Sequence, residues 1–257
     1  MLCTAWAPNG KSLASACKSG EIRVWEAESG KQTGRSLAGH KKWVTCLAWQ
    51  PLHLDPHCRK LASSSKDGDV RIWDTLLGSC LICLSGHQQG VSCIRWGGTG
   101  LIYSASQVRH AWFSLSDRIW VPSLTSSSFQ DRTVKVWRSE DGALCRTLQG
   151  HAHWVNTLAL STDYVLRTGA FEPSEFGAPP PTRGPPPTPD EAQRKAQQRY
   201  DALRLVGAER LVSGSDDFTL FLWHPETEKK HTGNFLPGSF LSLFLLHLVV
   251  PPQNAER

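Results

Sequence analysis

Residues 63–73, SSSKDGDVRIW, carry a pattern that the chain repeats. The same register returns as SACKSGEIRVW at 15–25 and SGSDDFTLFLW at 213–223, and in two pieces as SASQ at 104–107 and DRTVKVW at 131–137. In three of these copies an aspartate stands six positions before the tryptophan: Asp67 before Trp73, Asp131 before Trp137 and Asp217 before Trp223. In the copy ending at Trp25 that place belongs to Ser19. A turn, a short β-like run and Gly-His then follow, so His40, His87 and His151 come 15, 14 and 14 residues after Trp25, Trp73 and Trp137.

Within each unit the segments are short and alternate in polarity, as in VTCLAW (44–49), KLASSS (60–65), DVRIW (69–73) and SCLICLSG (79–86). Alternation at period two, with Gly and Asp at the gaps, predicts antiparallel strands in a meander. Four strands per unit, closed by Gly-His and Trp, are the signature of a WD40 β-propeller blade. The expected fold class is therefore all-β, a partial arc of about four blades. The blades fall near 1–39, 40–86, 87–150 and 151–230.

Two segments break the rhythm. Removing residues 108–130 joins SASQ to DRTVKVW without a gap, and the 23 extra residues show none of the repeat's spacing. Val108 can begin with the GT of a splice donor, and a Ser/Leu/Phe-rich stretch ending in Gln130 fits a pyrimidine tract followed by CAG. This reads as an in-frame, intron-like insertion; the alternative is a surface loop between two strands, where length costs little entropy. The second break, 174–208, holds the polyproline tract GAPPPTRGPPPTP (177–189) and then DEAQRKAQQRYDALRLV (190–206). The first half cannot pack as strand or helix. The second follows Pro189 with acidic residues and strong helix formers. With Leu203 and Val206 as a thin apolar stripe beside Tyr200, it is expected to be a solvated helix on a disordered loop, or else a docking arm. Residues 231–257 read as a divergent, disordered apolar tail; its run FLSLFLLHLVV (240–250) is too short to span a bilayer, and no membrane association is expected.

Composition narrows the function classes without choosing one. The chain has 257 residues, 40% hydrophobic and 20% charged, with 28 Lys and Arg against 23 Asp and Glu. That length can bury a core, and the small basic excess is compatible with a nucleic-acid-rich partner without arguing for one. Eight scattered cysteines and a start lacking an apolar signal core suggest reduced thiols in cytosol or nucleus.

Recurrent Ser, His and Asp could suggest a hydrolase, but the G-x-S-x-G elbow is absent. The reading preferred is a buried hydrogen-bonded chain in which Asp orients the imidazole and a hydroxyl links it to the indole N–H. His40, Asp67 and Trp73, then His87, Asp131 and Trp137, then His151, Asp217 and Trp223, are thus read as blade framework, with no catalytic residue, metal or cofactor. Cys80 and Cys83 have CxxC spacing but fall on a predicted strand, where an offset of three sends the sulfurs to opposite faces. His53, His57 and Cys58 are read as a polar surface loop.

Four stretches resemble the Notchless family of WD40 proteins. They are residues 40–74, RWGGTGLIYSASQ (95–107), 131–173 and ERLVSGSDDFTLFLW (209–223); within the third, LALSTDYVLRTGAFEP is not required by a generic blade. The resemblance covers roughly residues 1–107, 131–173 and 209–230. It implies a non-enzymatic scaffold in assembly of the large (60S) ribosomal subunit, located in nucleus, nucleolus and nucleoplasm. Implied partners are pre-60S ribosomal proteins and rRNA, and midasin, a AAA ATPase that full-length relatives engage through an N-terminal ubiquitin-like domain. That domain is missing here, so the expectation is a truncated form. The alternatives are an adaptor binding the Notch cytoplasmic region, and a non-functional truncated isoform.

Overall fold

Successive side chains of a strand point to opposite faces, and where a sheet lies between two neighbours both faces are buried, as along KLASSS (60–65) and LIYSAS (101–106). The computed structural model describes residues 2–107, 131–171, 188–225 and 233–235. The first sheet holds β1 (Cys3–Trp6), β2 (Ser12–Ala16) and β3 (Ile22–Glu26). The second holds β4 (Val44–Trp49), β5 (Lys60–Ser65), β6 (Val70–Asp74) and β7 (Ser79–Leu84). The third is β8 (Val91–Trp96), β9 (Leu101–Ser106), β10 (Val134–Arg138) and β11 (Leu144–Leu148). The fourth is β12 (Val155–Leu160), β13 (Leu211–Ser215), β14 (Leu220–Trp223) and β15 (Gly233–Phe235). Every sheet runs in sequence order with antiparallel neighbours, as the meander pattern requires.

The first sheet departs from four strands per unit. After β3 the chain makes only two isolated bridges, Trp25 with Gln32 and Ile22 with Leu37. Gly34, at φ +68°, turns the backbone between them and prevents a continuous strand. At the other end, β15 pairs with β14 through Leu220↔Phe235, Phe221↔Asn234 and Leu222↔Gly233. The fourth sheet therefore takes its last strand from residues that the sequence pattern placed in the tail. The intron-like segment 108–130, residues 177–187 of the polyproline tract and the apolar run 240–250 lie outside the described residues.

The core sits between sheets. Ile22, Leu37, Val44, Trp49 and Leu61 fill the space between the first and second. Ala62, Ile72, Ile94 and Trp137 join the second to the third, and Tyr103, Val136, Leu158 and Trp223 join the third to the fourth. Each of the larger side chains removed from water contributes roughly 1.5–3 kcal/mol, so a blade depends on its neighbour for stability. The inner strands β4, β8 and β12 share the same irregularity, a register shift at Val44/Cys46, Val91/Cys93 and Val155/Thr157. Such bulges re-aim one side chain. At two of them that residue reaches the next blade: the Thr45 hydroxyl donates to the Val91 carbonyl at 2.7 Å, and Ser92 donates to that of Val155.

Two helices interrupt the fourth unit, α1 (Asp163–Thr168) and α2 (Pro189–Val206). The Thr188 hydroxyl caps α2, accepting from the Glu191 N–H, while the Glu191 carboxylate accepts from the Thr188 N–H. Pro189 occupies the first turn, where its missing N–H leaves no bond unmade.

Candidate functional site

The strongest sequence signal, the His/Asp/Trp register, comes together as three hydrogen-bonded chains, each within one sheet. In the second sheet, Trp73 Nε1 donates to Ser63 Oγ at 2.7 Å, and His40 Nε2 lies 2.7 Å from the same oxygen. His40 Nδ1 is 3.0 Å from Asp67 Oδ2. The third sheet repeats this through Ser104, at 2.8 Å from Trp137 and 2.7 Å from His87, with His87 Nδ1 2.7 Å from Asp131. In the fourth, Ser213 stands 2.8 Å from Trp223 and 2.7 Å from His151, whose Nδ1 lies 3.3 Å from Asp217 and 3.2 Å from Thr219 Oγ1. One proton arrangement satisfies every group: indole N–H to serine, serine O–H to imidazole Nε2, imidazole Nδ1–H to aspartate. Ser63, Ser104 and Ser213 are each fully buried, so a hydroxyl here has no attack path to solvent.

The aspartates also tie the blade's entry to its tight turn. Asp67 accepts from the Lys41 and Asp69 N–H groups at 2.9 and 3.0 Å, and Asp131 accepts from Gln88 N–H at 3.0 Å. Burial would raise these carboxyl pKa values, but the donated bonds outweigh it. Asp131 is held down to about 2, with His87 the leading donor, and Asp217 likewise to about 2, with Thr219 leading. Asp67 is held below the usual carboxylate range against the same burial, chiefly by His40. The first sheet has only a remnant: Trp25 Nε1 donates to Ser15 Oγ at 2.7 Å, and Ser19 stands where the aspartate would be.

A buried carboxylate that the repeat register did not reveal lies at the opposite end of the sheets. Glu209, 1% exposed, accepts from Gly98 N–H (3.0 Å), Tyr103 Oη (3.0 Å) and Thr162 Oγ1 (2.8 Å). It thereby joins the β8–β9 turn to the fourth unit. A Cβ on Gly97 would fall 2.3 Å from the Glu209 carboxylate, and one on Gly98 2.1 Å from the Tyr200 ring, so Gly97-Gly98 is required by close approach. Only the adjacent glycines of RWGGTG hinted at this in the sequence.

Helix α2 is not solvated as expected but strapped across that end. Ala192, Ala196, Tyr200 and Leu203, at spacings of four, four and three, form the face that packs on the sheets. The Tyr200 ring stacks on His53 with centroids 4.6 Å apart, and Gln193 donates to the His53 carbonyl at 2.9 Å. His53 in turn donates from Nε2 to the Gly98 carbonyl at 2.8 Å. Its pKa is lowered, mainly by burial. Arg199 donates to the carbonyls of Gly169 and Phe171 at 2.5 and 2.6 Å. The 53–58 loop is thus not simply a polar surface loop: of His53, His57 and Cys58, the first and last are buried and His57 is exposed. The thin apolar stripe was read from Leu203 and Val206, and the two alanines that make the contact carry too little hydrophobicity to stand out.

Between the inner strands, one guanidinium nitrogen of Arg95 lies 3.7 Å from the Cys46 sulfur and 3.5 Å from that of Cys93. A hydrogen bond from Cys93, assisted by Arg95, holds the Cys46 thiol pKa below its usual value against the opposing effect of burial. Cys80 and Cys83 are exposed on β7. Among the described residues, no group of three or more His, Cys, Asp or Glu side chains is arranged to hold a metal ion.

Comparison with known proteins bears on the same residues. The family model described as "WD domain, G-beta repeat" matches residues 31–74 and 78–138, and that described as "Anaphase-promoting complex subunit 4 WD40 domain" matches 1–52. The chain is 50% identical over 202 residues to Protein Notchless of Drosophila melanogaster, covering 79% of this chain and 36% of that protein. It is 42% identical over 230 residues to Ribosome assembly protein 4 of Saccharomyces cerevisiae, covering 88% and 39%. With the Notchless protein homolog of Arabidopsis thaliana it shares 46% over 212 residues, covering 82% and 38%. The chain thus spans less than two fifths of the length of these curated relatives. Repeated four-stranded sheets, the His–Ser–Trp–Asp register within them and these identities lead to one conclusion: the chain belongs to the WD40-repeat proteins and is a homologue of Notchless.

Proposed function

We propose that this chain is a non-catalytic interaction scaffold in assembly of the large ribosomal subunit, docking on pre-60S particles. The observation that carries this is the 42% identity, over 88% of the chain, to a protein named for ribosome assembly. The rigid sheets support it, since a propeller presents loops on a fixed frame and function belongs to those loops. In this reading the nine residues from His40 to Trp223 are framework: they fix each tight turn against the blade's entry and contact no partner. Remodelling by midasin, residence in nucleus and nucleolus, and contacts with pre-60S proteins and rRNA belong to the same proposal.

A second reading, an adaptor for the Notch cytoplasmic region, draws on the name of the Drosophila relative. Affinity purification of the 257-residue chain from nuclear extract separates the two. Enrichment of pre-60S proteins and large-subunit rRNA precursors is the expected outcome. Saturable binding to a purified Notch tail without particle recovery would replace it with the adaptor reading.

A further inference from the structure

The residues that open the inner strands form a rim at the end opposite α2, and its charge is uneven. Trp43, 38% exposed, has the Lys18 ammonium 4.1 Å and the Lys66 ammonium 4.7 Å from its ring centroid. Lys41 and Lys42, both exposed, immediately precede it. Backbone contacts hold the three segments together. Lys66 N–H donates to the Trp43 carbonyl at 2.9 Å, and the Ser65 hydroxyl donates to that of Lys42 at 3.2 Å. The turn carrying Lys18 fits against them because Gly20, at φ +92°, has no side chain; a Cβ there would fall 2.4 Å from the His40 carbonyl oxygen.

Nearby carboxylates are engaged elsewhere. Asp67 is held by His40 and the Lys41 N–H, Glu21 pairs with Arg23 at 3.6 Å, and Asp69 accepts from Ser85 at 2.7 Å. Among the described residues none of these four lysines forms an ion pair. The same rim positions one unit on are Gln88, Gln89 and Gly90, and two units on Ala152, His153 and Trp154, where Asp216 lies 3.8 Å from His153. The fold does not require four lysines here.

We propose that this rim binds the phosphate backbone of single-stranded RNA, with Trp43 offering a stacking surface to a base. Two ammonium groups against an exposed indole, with exposed Lys41 and Lys42 immediately before it in the chain, combine the two elements of sequence-tolerant single-strand binding. An acidic protein surface is the competing partner, but carboxylates are best gripped by the planar arginine fork, and the exposed cations named on this rim, Lys18, Lys41, Lys42 and Lys66, are all lysines. The inference goes beyond the assembly reading, because it concerns naked RNA and holds whether or not the chain joins a particle.

Fluorescence anisotropy with a labelled mixed-sequence oligoribonucleotide of about 12 nucleotides tests it, using the full chain. Four phosphate contacts predict a log K against log salt slope of about −3. Lys18→Glu/Lys66→Glu should weaken binding at least tenfold or so, whereas Lys11→Glu/Lys31→Glu, the same charge change elsewhere on the first unit, should stay within about twofold. Lys18→Gln/Lys66→Gln should fall between them, and serves if the Glu pair melts early. Trp43→Ala should cost about fivefold or more. No binding by the unaltered chain, equal losses in both Glu pairs, or stronger competition by polyglutamate than by unlabelled RNA would each overturn the proposal.

Discussion

The β5–β6 and β9–β10 hairpins are the same structure closed by very different lengths of chain. Ser65 N–H meets the Asp69 carbonyl at 3.3 Å, and Ser106 N–H meets that of Thr133 at 3.2 Å, although the second turn contains residues 108–130 in addition. The strands beyond pair alike, Ser64↔Val70 and Ala62↔Ile72 in one, Ala105↔Val134 and Tyr103↔Val136 in the other. Asp131 arrives from beyond the insertion and still reaches His87, at 2.7 Å against 3.0 Å for Asp67 and His40. Register here is set by the apolar face and by the buried network, so the turn can lengthen without disturbing either.

Removing the shared hydroxyl should have the largest effect. Ser63→Ala and Ser104→Ala each leave an imidazole and an indole N–H buried without their common partner, at a cost of about 2–4 kcal/mol in chemical denaturation. If the hairpins are equivalent, the two losses agree; a markedly smaller loss for Ser104→Ala would mean that the longer turn loosens the third sheet. Next comes deletion of 108–130, which should raise stability by about 1–2 kcal/mol through loop-closure entropy alone. No gain would break the comparison, because it would mean that the segment makes compensating contacts.

Acid sharpens the comparison in a different way. Asp67 and Asp131 have carboxyl pKa values lower in the folded chain than in the unfolded one, so their contribution is present above about pH 4. It is lost as the pH falls through the folded value, about 2 for Asp131. Asp67→Asn and Asp131→Asn should each flatten the stability profile between those limits, and a flat profile in the unsubstituted chain would remove the carboxylates from the account. The smallest effect belongs to the first sheet. With no histidine or aspartate in its network, Trp25→Phe should cost about 1 kcal/mol or less, against several for Trp73→Phe, as read from melting curves.

Much of this molecule was legible in the residues because the repeat states its own rule three times in full and once in part. A tryptophan at the end of the third strand, an aspartate six residues earlier and a histidine in the preceding loop named the buried networks, since only groups that satisfy one another can recur at such depth. The connecting serines were legible by type, and the structure identifies them as Ser63, Ser104 and Ser213.

Other features depended on distance in space. Glu209 accepts hydrogen bonds from Gly98 and Tyr103, more than a hundred residues away, so no local pattern marks it as a buried node. The 190–206 segment has helix propensity, but its docking was decided by residues far off in sequence: His53 and Gly98 receive the Tyr200 ring, and the Gly169 carbonyl accepts from Arg199. The lysines of the basic rim lie at 18, 41, 42 and 66, scattered along the chain and meeting only because two neighbouring sheets place their turns side by side. Periodicity specifies strands and the networks inside them, because both are local to one repeat. Surfaces and straps are made between repeats, where sequence separation carries no information about distance.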